Sequence, residues 1–490
     1  MKAKILTSLL TISIVAALLI SCAGSTPPPT STTGDIIASD TSDKGVADEY
    51  IYASLDCNGE DFTFLNVTTT WDFYTAITHE SETGEVLDDA IFSRNKKIEE
   101  RYNVNIKEIA FDIGEVENNL RKTIQAGDAI YDAAFCPMYN NAPIGGLITQ
   151  NLFLNLKDIP ELQLDKQWWN QKISKDGVIG NNGGLYFALS DINIMNLQGA
   201  WCVYFNENMM INKGLELPYN AVKNGTWTFD EFYKYEKAGA SLNGTDSYKW
   251  DPNGAAVFGY TSYEGGTSAL MAASGESYIR IDDTGTPKLA IEHERFYDVC
   301  AKIAGLTMNT GEYQNANDYT TGFHFEMIFR DARAMMLIGE LKAADVFRTM
   351  DDTFGIVPMP KFDENQKEYY TSVARQAPVL VVPTTNTNLS RTGIILDDLA
   401  YSSYKDVTPI FWDVTVSQKR LRNEDSIEML QIIKDSVQFD IGSAYGWTSA
   451  ITIAIRDVLD KGKSDITSQI EKNRDKVAVN ITKTLEEFAQ

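Results

Sequence analysis

Histidine is scarce in this chain: His79, His293 and His324 are the only three in 490 residues, and they stand in unrelated contexts. No H-E-x-x-H, G-x-S-x-G or Walker-type loop occurs, so the common metalloprotease, esterase and phosphate-binding motifs are excluded. Cysteine is also sparse. After Cys22 come Cys57, Cys136, Cys202 and Cys300, widely spaced and without a C-x-x-C pair, which argues against a zinc site. They read as buried free thiols. Basic charge is deficient, with 43 Lys and Arg against 68 Asp and Glu and a net charge of −25. Nucleic acid is therefore excluded as a partner, because its phosphates demand Lys and Arg. The imbalance suits a soluble exported protein. No internal repeat is present. Nothing in the sequence asks for a cofactor or a metal, and no catalytic residue is assigned. The acidic pairs Asp88-Asp89, Asp351-Asp352 and Asp397-Asp398 read as solvated helix or turn positions. A glycoside hydrolase needs only two carboxylates about 5–10 Å apart, so a secreted glycosidase stays open as an alternative at this stage.

What is present begins at the N-terminus. Lys2 and Lys4 precede an apolar run that ends "LLISCAGSTPPPTSTT". A charged start followed by an apolar segment is the pattern of a secretory signal. Thr7, Ser8, Thr11 and Ser13 interrupt the run, which makes it marginal as a permanent span, since spanning needs roughly 20 predominantly apolar residues. Leu19-Ile20-Ser21-Cys22 resembles a bacterial lipobox, in which the cysteine takes a lipid such as palmitate and becomes the new N-terminus. Residues 1–21 are then a lipoprotein signal peptide. Residues 22–59, which open on small residues, prolines and hydroxyls, lack apolar periodicity and read as a disordered tether. The remainder is too long for one simple core, and two domains are expected. Hydrophobic residues at 43% make it globular.

The body opens as an α/β protein. "FTFLNVTTTWDFY" alternates apolar residues and reads as a strand. A helix follows over Gly84–Tyr102, then a strand in "YNVNIKEIAFD", a helix in "EVENNLRKTIQAGD" stopped by Gly127, and a strand in "AIYDAAFCP". This order implies a parallel sheet with right-handed crossovers. Ligands of such sheets sit beyond the carboxyl ends of the strands, here "TTTWDFY" and "CPMYNN". "LYFALSDINIMNLQGAWCVYFNENMM" reads as two strands with a bend near Asp191. Thr228 and Glu231 fit a capping box that starts a helix. "ARAMMLIGEL", "TFGIVPMPKF" and "APVLVVPTT" read as strands. The C-terminal residues read as helical, with "SAITIAIRDVLDKG" strongly amphipathic.

Taken in order, these pieces resemble the extracellular solute-binding lipoproteins of ABC importers. The resemblance is to the carbohydrate-binding branch that includes maltose-binding protein (solute-binding family 1). It is carried by "DDAIFSRNKKIEERYNVNI", "GDAIYDAAF", "GLYFALSD" with "VYFNENMM", "GTWTFDEF", "ARAMMLIGE" with "FGIVPMPKFDENQKEYY", and "SAYGWTSAITIAIRDVLDKGKSDI". The chain departs from maltose-binding protein in a longer first lobe and in Ile338-Gly339-Glu340, where an aromatic is expected after the glycine. The resemblance implies a two-lobed periplasmic-binding-protein-like α/β fold of type II. Lobe 1 would hold residues 60–190 and 384–429, lobe 2 residues 191–383 and 430–490, with a hinge and a cleft between them. It implies a non-enzymatic monomer that captures an oligosaccharide and delivers it to ABC-transporter permease subunits. The protein would sit lipid-anchored on the outer face of the cell membrane. A glycan- or peptide-binding adhesin is a further alternative.

A sugar offers hydroxyls at its edge and C–H groups on its face, so its site needs flat aromatics together with carboxylates or amides. Trp71, Asp72 and Tyr74 follow the first strand, and Tyr139, Asn140 and Asn141 follow the third; ordinary loop aromatics are the alternative. Asp191 falls at the expected hinge. Tyr263 and Glu264 stand in "SYEGG", and Glu340 follows a glycine at a strand end. The resemblance places a stacking aromatic at Tyr445 and Trp447, with Trp447 as core the alternative. Trp168, Trp169, Trp227 and Trp412 read as packing residues.

Overall fold

The computed structural model describes residues 50–68, 75–138, 143–179, 183–248, 250–282, 284–308, 312–315, 325–374, 376–416 and 424–488. The chain divides at Ile51, and the unit that begins there carries every element below.

The first sheet has strand order β11-β3-β1-β2. β1 (Glu60–Thr68) buries Phe62, Phe64, Leu65 and Val67. Apolar residues point to both sides, as a central strand covered on both faces requires. It runs parallel to β2 (Val104–Asp112) from Glu60↔Val104 to Thr68↔Asp112, and parallel to β3 (Ala133–Pro137). The crossovers are α1 (Val86–Tyr102) and α2 (Val116–Gln125). α1 turns Ile91, Ile98 and Tyr102 inward and stops at Asn103, whose φ of 47° is left-handed. α2 turns Val116, Leu120 and Ile124 inward, and Gly127 beyond it has φ 77°. Each helix thus ends where a residue tolerant of positive φ stands. These assignments match the expected strand–helix–strand–helix–strand order.

The second sheet has order β10-β4-β9-β5-β8. β4 (Trp201–Asn206) lies antiparallel to β9 (Ala334–Glu340) and to β10 (Phe354–Pro358). β5 (Phe258–Ser262) lies parallel to β9 and to β8 (Tyr313–Asn315). A separate hairpin joins β6 (Ile279–Ile281) to β7 (Pro287–Leu289). The helix Phe229–Gly239 starts as expected at Thr228, whose hydroxyl accepts from the Glu231 amide at 3.3 Å.

Two expectations differ from what is found. The apolar run after Gly184 is not a bent pair of strands. A short helix, Met195–Gln198, intervenes before β4 and buries Met195 and Leu197. β11 (Pro378–Val381) pairs antiparallel with β3 from Pro378↔Pro137 to Val381↔Ala134, so it belongs to the first sheet, inside the segment expected to lie in the second lobe. Its four buried residues fill the edge beside β3.

Among the described residues, two chain segments that pass between the bodies around the two sheets are hydrogen-bonded side by side, and residues 436–438 lie against the second of them. Trp201 N donates to Ser372 O at 3.0 Å and Ala374 N to Gly199 O at 2.8 Å. Thr371 N donates to Ser436 O at 2.9 Å and Gln438 N to Thr371 O at 2.8 Å. The approach to the first link is pinned by Arg94, fully buried on α1, which donates to Ile192 O at 3.1 Å, Ser403 Oγ at 2.9 Å and Ile77 O at 3.0 Å. A buried guanidinium must satisfy its donors or carry a large desolvation cost, so this arginine ties the linking chain firmly to α1.

The thiols of Cys57, Cys136, Cys202 and Cys300 are free and buried, as expected from their spacing. Burial pushes the Cys300 thiol up to about 12 and raises those of Cys136 and Cys202 as well. Such thiols are inert nucleophiles. Asp397 and Asp398 correct the solvated reading of the acidic pairs: both are buried, at 1% and 0% exposure, within the helix Leu389–Ser402. Asp397 accepts from the indole N–H groups of Trp168 (3.1 Å) and Trp169 (2.8 Å) and from Gln163 N and Nε2. Asp398 pairs with Arg101 and accepts from Ser402 Oγ at 2.8 Å. Among the described residues, no helix is long and apolar enough to cross a membrane.

Candidate functional site

One edge of the second sheet gathers the site. The register Trp201↔Glu340 sets the first residue of β4 against the last of β9. β5 ends beside them, and its chain continues through Tyr263 and Glu264 into the helix Glu264–Ala273. Tyr263 lies tilted on Trp201, with ring centroids 5.5 Å apart, and on Phe325, at 5.0 Å. The three rings form one aromatic floor. Its tightness depends on two glycines. A Cβ on Gly265 would lie 2.6 Å from the Tyr263 ring and 2.7 Å from that of Trp201, and one on Gly266 would lie 2.1 Å from Ser262 Oγ. The Tyr263 hydroxyl donates to Glu340 Oε1 at 2.9 Å.

This floor opens into a cavity of about 1620 Å³. Met138 beyond β3 and Lys175, Asp176 and Ile179 line it from the side of the first sheet. Ser372, Val373 and Ala374, in one of the linking segments, line it as well. Asp440, Ser449 and Arg456 line it from the C-terminal helices. The cavity therefore lies between the two sheet-bearing bodies. Its polar lining mixes carboxylates and hydroxyls with the cations Lys175, Arg280, Lys342 and Arg456. Burial pushes the Glu340 carboxyl up, while its hydrogen bond from Tyr263 and the charge of Lys342 pull it back. Glu326, which also lines the cavity, is pushed up to about 7, by burial first and then by the charge of Glu340. Rings for C–H faces and carboxylates for hydroxyls are the two requirements of saccharide binding. Among the described residues, no group of three or more His, Cys, Asp or Glu side chains is placed to hold a metal ion.

The structure brings together Tyr263, Glu264 and Glu340 of the residues expected from sequence; all three line the cavity. It does not bring Trp447 or Tyr445 there. Trp447 is a core residue, 2% exposed, with its indole N–H on Thr484 Oγ1 at 2.9 Å and its ring stacked on Tyr445 at 5.0 Å. Tyr445 is buried against Gly145, so the pair packs the helix Thr467–Phe488 instead of facing the cavity. Asp191 also lies outside the cavity lining. It accepts from Thr408 Oγ1 at 2.6 Å and pairs with Lys434 at 3.1 Å. Trp71, Asp72, Tyr74, Tyr139, Asn140 and Asn141 lie outside the described residues, as does Cys22. The sequence reading missed Trp201, Phe325 and Glu326. Trp201 sits inside an apolar run that looks like core throughout, and only its register against Glu340 reveals its place.

No protein-family model matches this sequence, and no curated protein matches it in sequence. Solved structures do match in fold. A sugar transporter from Rhizobium etli, in an open conformation, superposes with a TM-score of 0.54 at 12% identity, covering 85% of this chain and 99% of that one. An ABC substrate-binding protein from Listeria monocytogenes, in complex with cycloalternan, gives 0.53 at 14% identity, covering 86% and 99%. The apo form of RafE from Streptococcus pneumoniae gives 0.51 at 13% identity, covering 87% and 98%. The fold is thus the two-lobed, periplasmic-binding-protein-like α/β architecture of these structures. It extends over most of the described body.

Proposed function

We propose that this protein is the extracytoplasmic binding component of an ABC importer and that it captures a carbohydrate, an oligosaccharide, between its two lobes. The observation that carries this reading is the aromatic floor of Trp201, Tyr263 and Phe325, flanked by Glu264, Glu326 and Glu340, at the edge of a large cavity between the two sheets. Cycloalternan in the Listeria monocytogenes structure supports the ligand class. The linking segments at 199–201 and 371–374 act as the hinge, and closure by their flexing is a known route to ligand-driven switching. The permease of the importer is the partner. Cys22 carries the lipid that holds the monomer at the outer face of the membrane; detergent-phase partition should be lost in Cys22→Ser, and unchanged partition of the processed variant would refute the anchor.

The test uses purified protein and a panel of neutral and charged oligosaccharides. A binder gains stability as RT ln(1 + [L]/Kd), about 2.7 kcal/mol at a hundredfold excess over Kd, and leaves the sugar intact. Chromatography of the same mixtures checks for cleavage, because paired carboxylates in a cavity also meet the minimal need of a glycosidase. Products formed with turnover would replace the binder reading with a hydrolase. Scattering should show compaction when a saccharide binds, since ligand contacts to both lobes select a closed state.

A further inference from the structure

The cavity is long as well as large. At about 1620 Å³ it exceeds the roughly 300–1,000 Å³ usual for a small-molecule cleft. Its length follows from one helix. Glu264, Gly265, Thr267, Ser268, Met271 and Ala272 line it, and their spacing marks one face of the helix Glu264–Ala273. That helix has 10 residues and so runs for about 15 Å beside the cavity. Its first residue stands at the aromatic floor. Beyond its last turn, Gly275 and Glu276 carry the lining on to the hairpin of β6 and β7, where Ile279, Arg280, Ile281 and Gly285 line the cavity. Floor, helix and hairpin belong to one body, so the distance between the two ends does not depend on how far the cleft is open. One helical turn rises about 5.4 Å, close to what one pyranose unit adds to a chain. A ligand that touches both ends is therefore at least about three sugar units long.

The hairpin is a fixed wall. At its base the buried Glu276 accepts from Arg295 Nη1 at 2.6 Å, and Arg295 also donates to Ser274 O at 3.2 Å. Behind it, a Cβ on Gly442 would lie 2.6 Å from Ile279 Cγ1. At its turn Asp282 Oδ1 accepts from the amides of Thr284 at 2.9 Å and Thr286 at 3.0 Å, and Asp282 pairs with Lys288 at 2.6 Å. On this support Arg280 and Ile281 are exposed. Arg280 lies 3.5 Å from Glu276, a loose pairing that leaves most of its five N–H donors for sugar hydroxyls. Ile281 offers an apolar surface to C–H faces. A wall already ordered loses little freedom when a ligand settles on it.

We propose that the hairpin is a distal subsite, in which Arg280 and Ile281 hold the far end of an extended saccharide whose near end lies on Trp201, Tyr263 and Phe325. This rests on the saccharide reading of the cavity and adds chain length to what the cleft selects.

The test is calorimetry on the full protein with α- and β-linked saccharide ladders, each running from monosaccharide to hexasaccharide. In the ladder that binds, affinity should climb by about tenfold to a hundredfold between disaccharide and tetrasaccharide, as hydrogen bonds from a charged donor are added at the hairpin. Arg280→Ala should cut that gain by about tenfold, and Ile281→Ser should cut it by a smaller factor. A disaccharide that binds as tightly as its longer homologues would overturn the proposal and leave the saccharide reading standing. So would an Arg280→Ala protein that keeps the full gain with chain length. Failure of every saccharide to bind would overturn both.

Discussion

Glu236 offers a measurement in which the structure predicts both sign and size. It lies on the helix Phe229–Gly239 with 0% exposure, and neither carboxyl oxygen has a hydrogen-bond partner among the described residues. The sealing is steric. A Cβ on Gly259 of β5 would lie 2.0 Å from Glu236 O, and one on Gly239 would lie 2.9 Å from Met335 Cβ, so helix and sheet meet too closely to admit water. Burial first and then the charge of Glu312 push this carboxyl well above the usual carboxylate range, and Lys237 offsets little of it. The native group is therefore protonated at pH values where the unfolded one, near about 4.3, is ionised. The unfolded state then binds fewer protons, so stability falls as pH rises, by about 1.4 kcal/mol per pH unit. It is undiminished below the unfolded value and keeps falling until the native carboxyl itself ionises. Glu236→Gln keeps the shape and removes the proton. Urea unfolding of both proteins from about pH 5 upward should show their stabilities diverging in favour of Gln, at up to about 1.4 kcal/mol per pH unit while the native carboxyl stays protonated, and the titration of all other groups cancels in the difference. Parallel curves would refute the reasoning, because they would mean that the carboxyl is hydrated or paired in the native state.

Trp447→Ala should cost about 3–5 kcal/mol of stability without ligand, as removal of a core indole does; a nearly unchanged melting temperature with weakened saccharide binding would return Trp447 to the cleft. Asp397→Asn should cost about 2–3 kcal/mol, since an amide replaces one accepting oxygen with a donor opposite donors already in place. Calorimetric unfolding measures it, and a loss well under about 1 kcal/mol would show that the Trp168 and Trp169 indoles find other acceptors.

Much of the fold was legible because its causes are local. The strands β1, β2 and β3 and the helices between them follow from apolar spacing and from Asn103 and Gly127, which accept positive φ. The Thr228 cap follows from a residue three positions away. Where the cause is distant, the sequence misled. Asp397 and Asp398 look like a solvated pair because adjacent acids repel burial. Their burial depends on Trp168, Trp169 and Arg101, more than two hundred positions away in the chain. β11 was recognised as a buried strand, yet its sheet is fixed by pairing with β3, which no local pattern encodes.

The same distinction explains which site residues were found. "SYEGG" draws notice because chemistry and sterics meet within five residues. Tyr263 supplies the ring, Glu264 the charge, and the two glycines exist because Tyr263 and Ser262 leave no room for a Cβ. Trp201 and Trp447 carry no such local mark; both sit among apolar neighbours and both are nearly fully buried, at 4% and 2%. What separates them is the partner each ring meets. Trp447 has its indole N–H bound and its face covered by Tyr445, so it has nothing left for a ligand. Trp201 starts a strand in register with Glu340 and leans on Tyr263, so the same degree of burial leaves it at the cavity wall. For an aromatic in this fold, strand register and the occupant of the opposite face determine whether it is core or site, and the degree of burial does not.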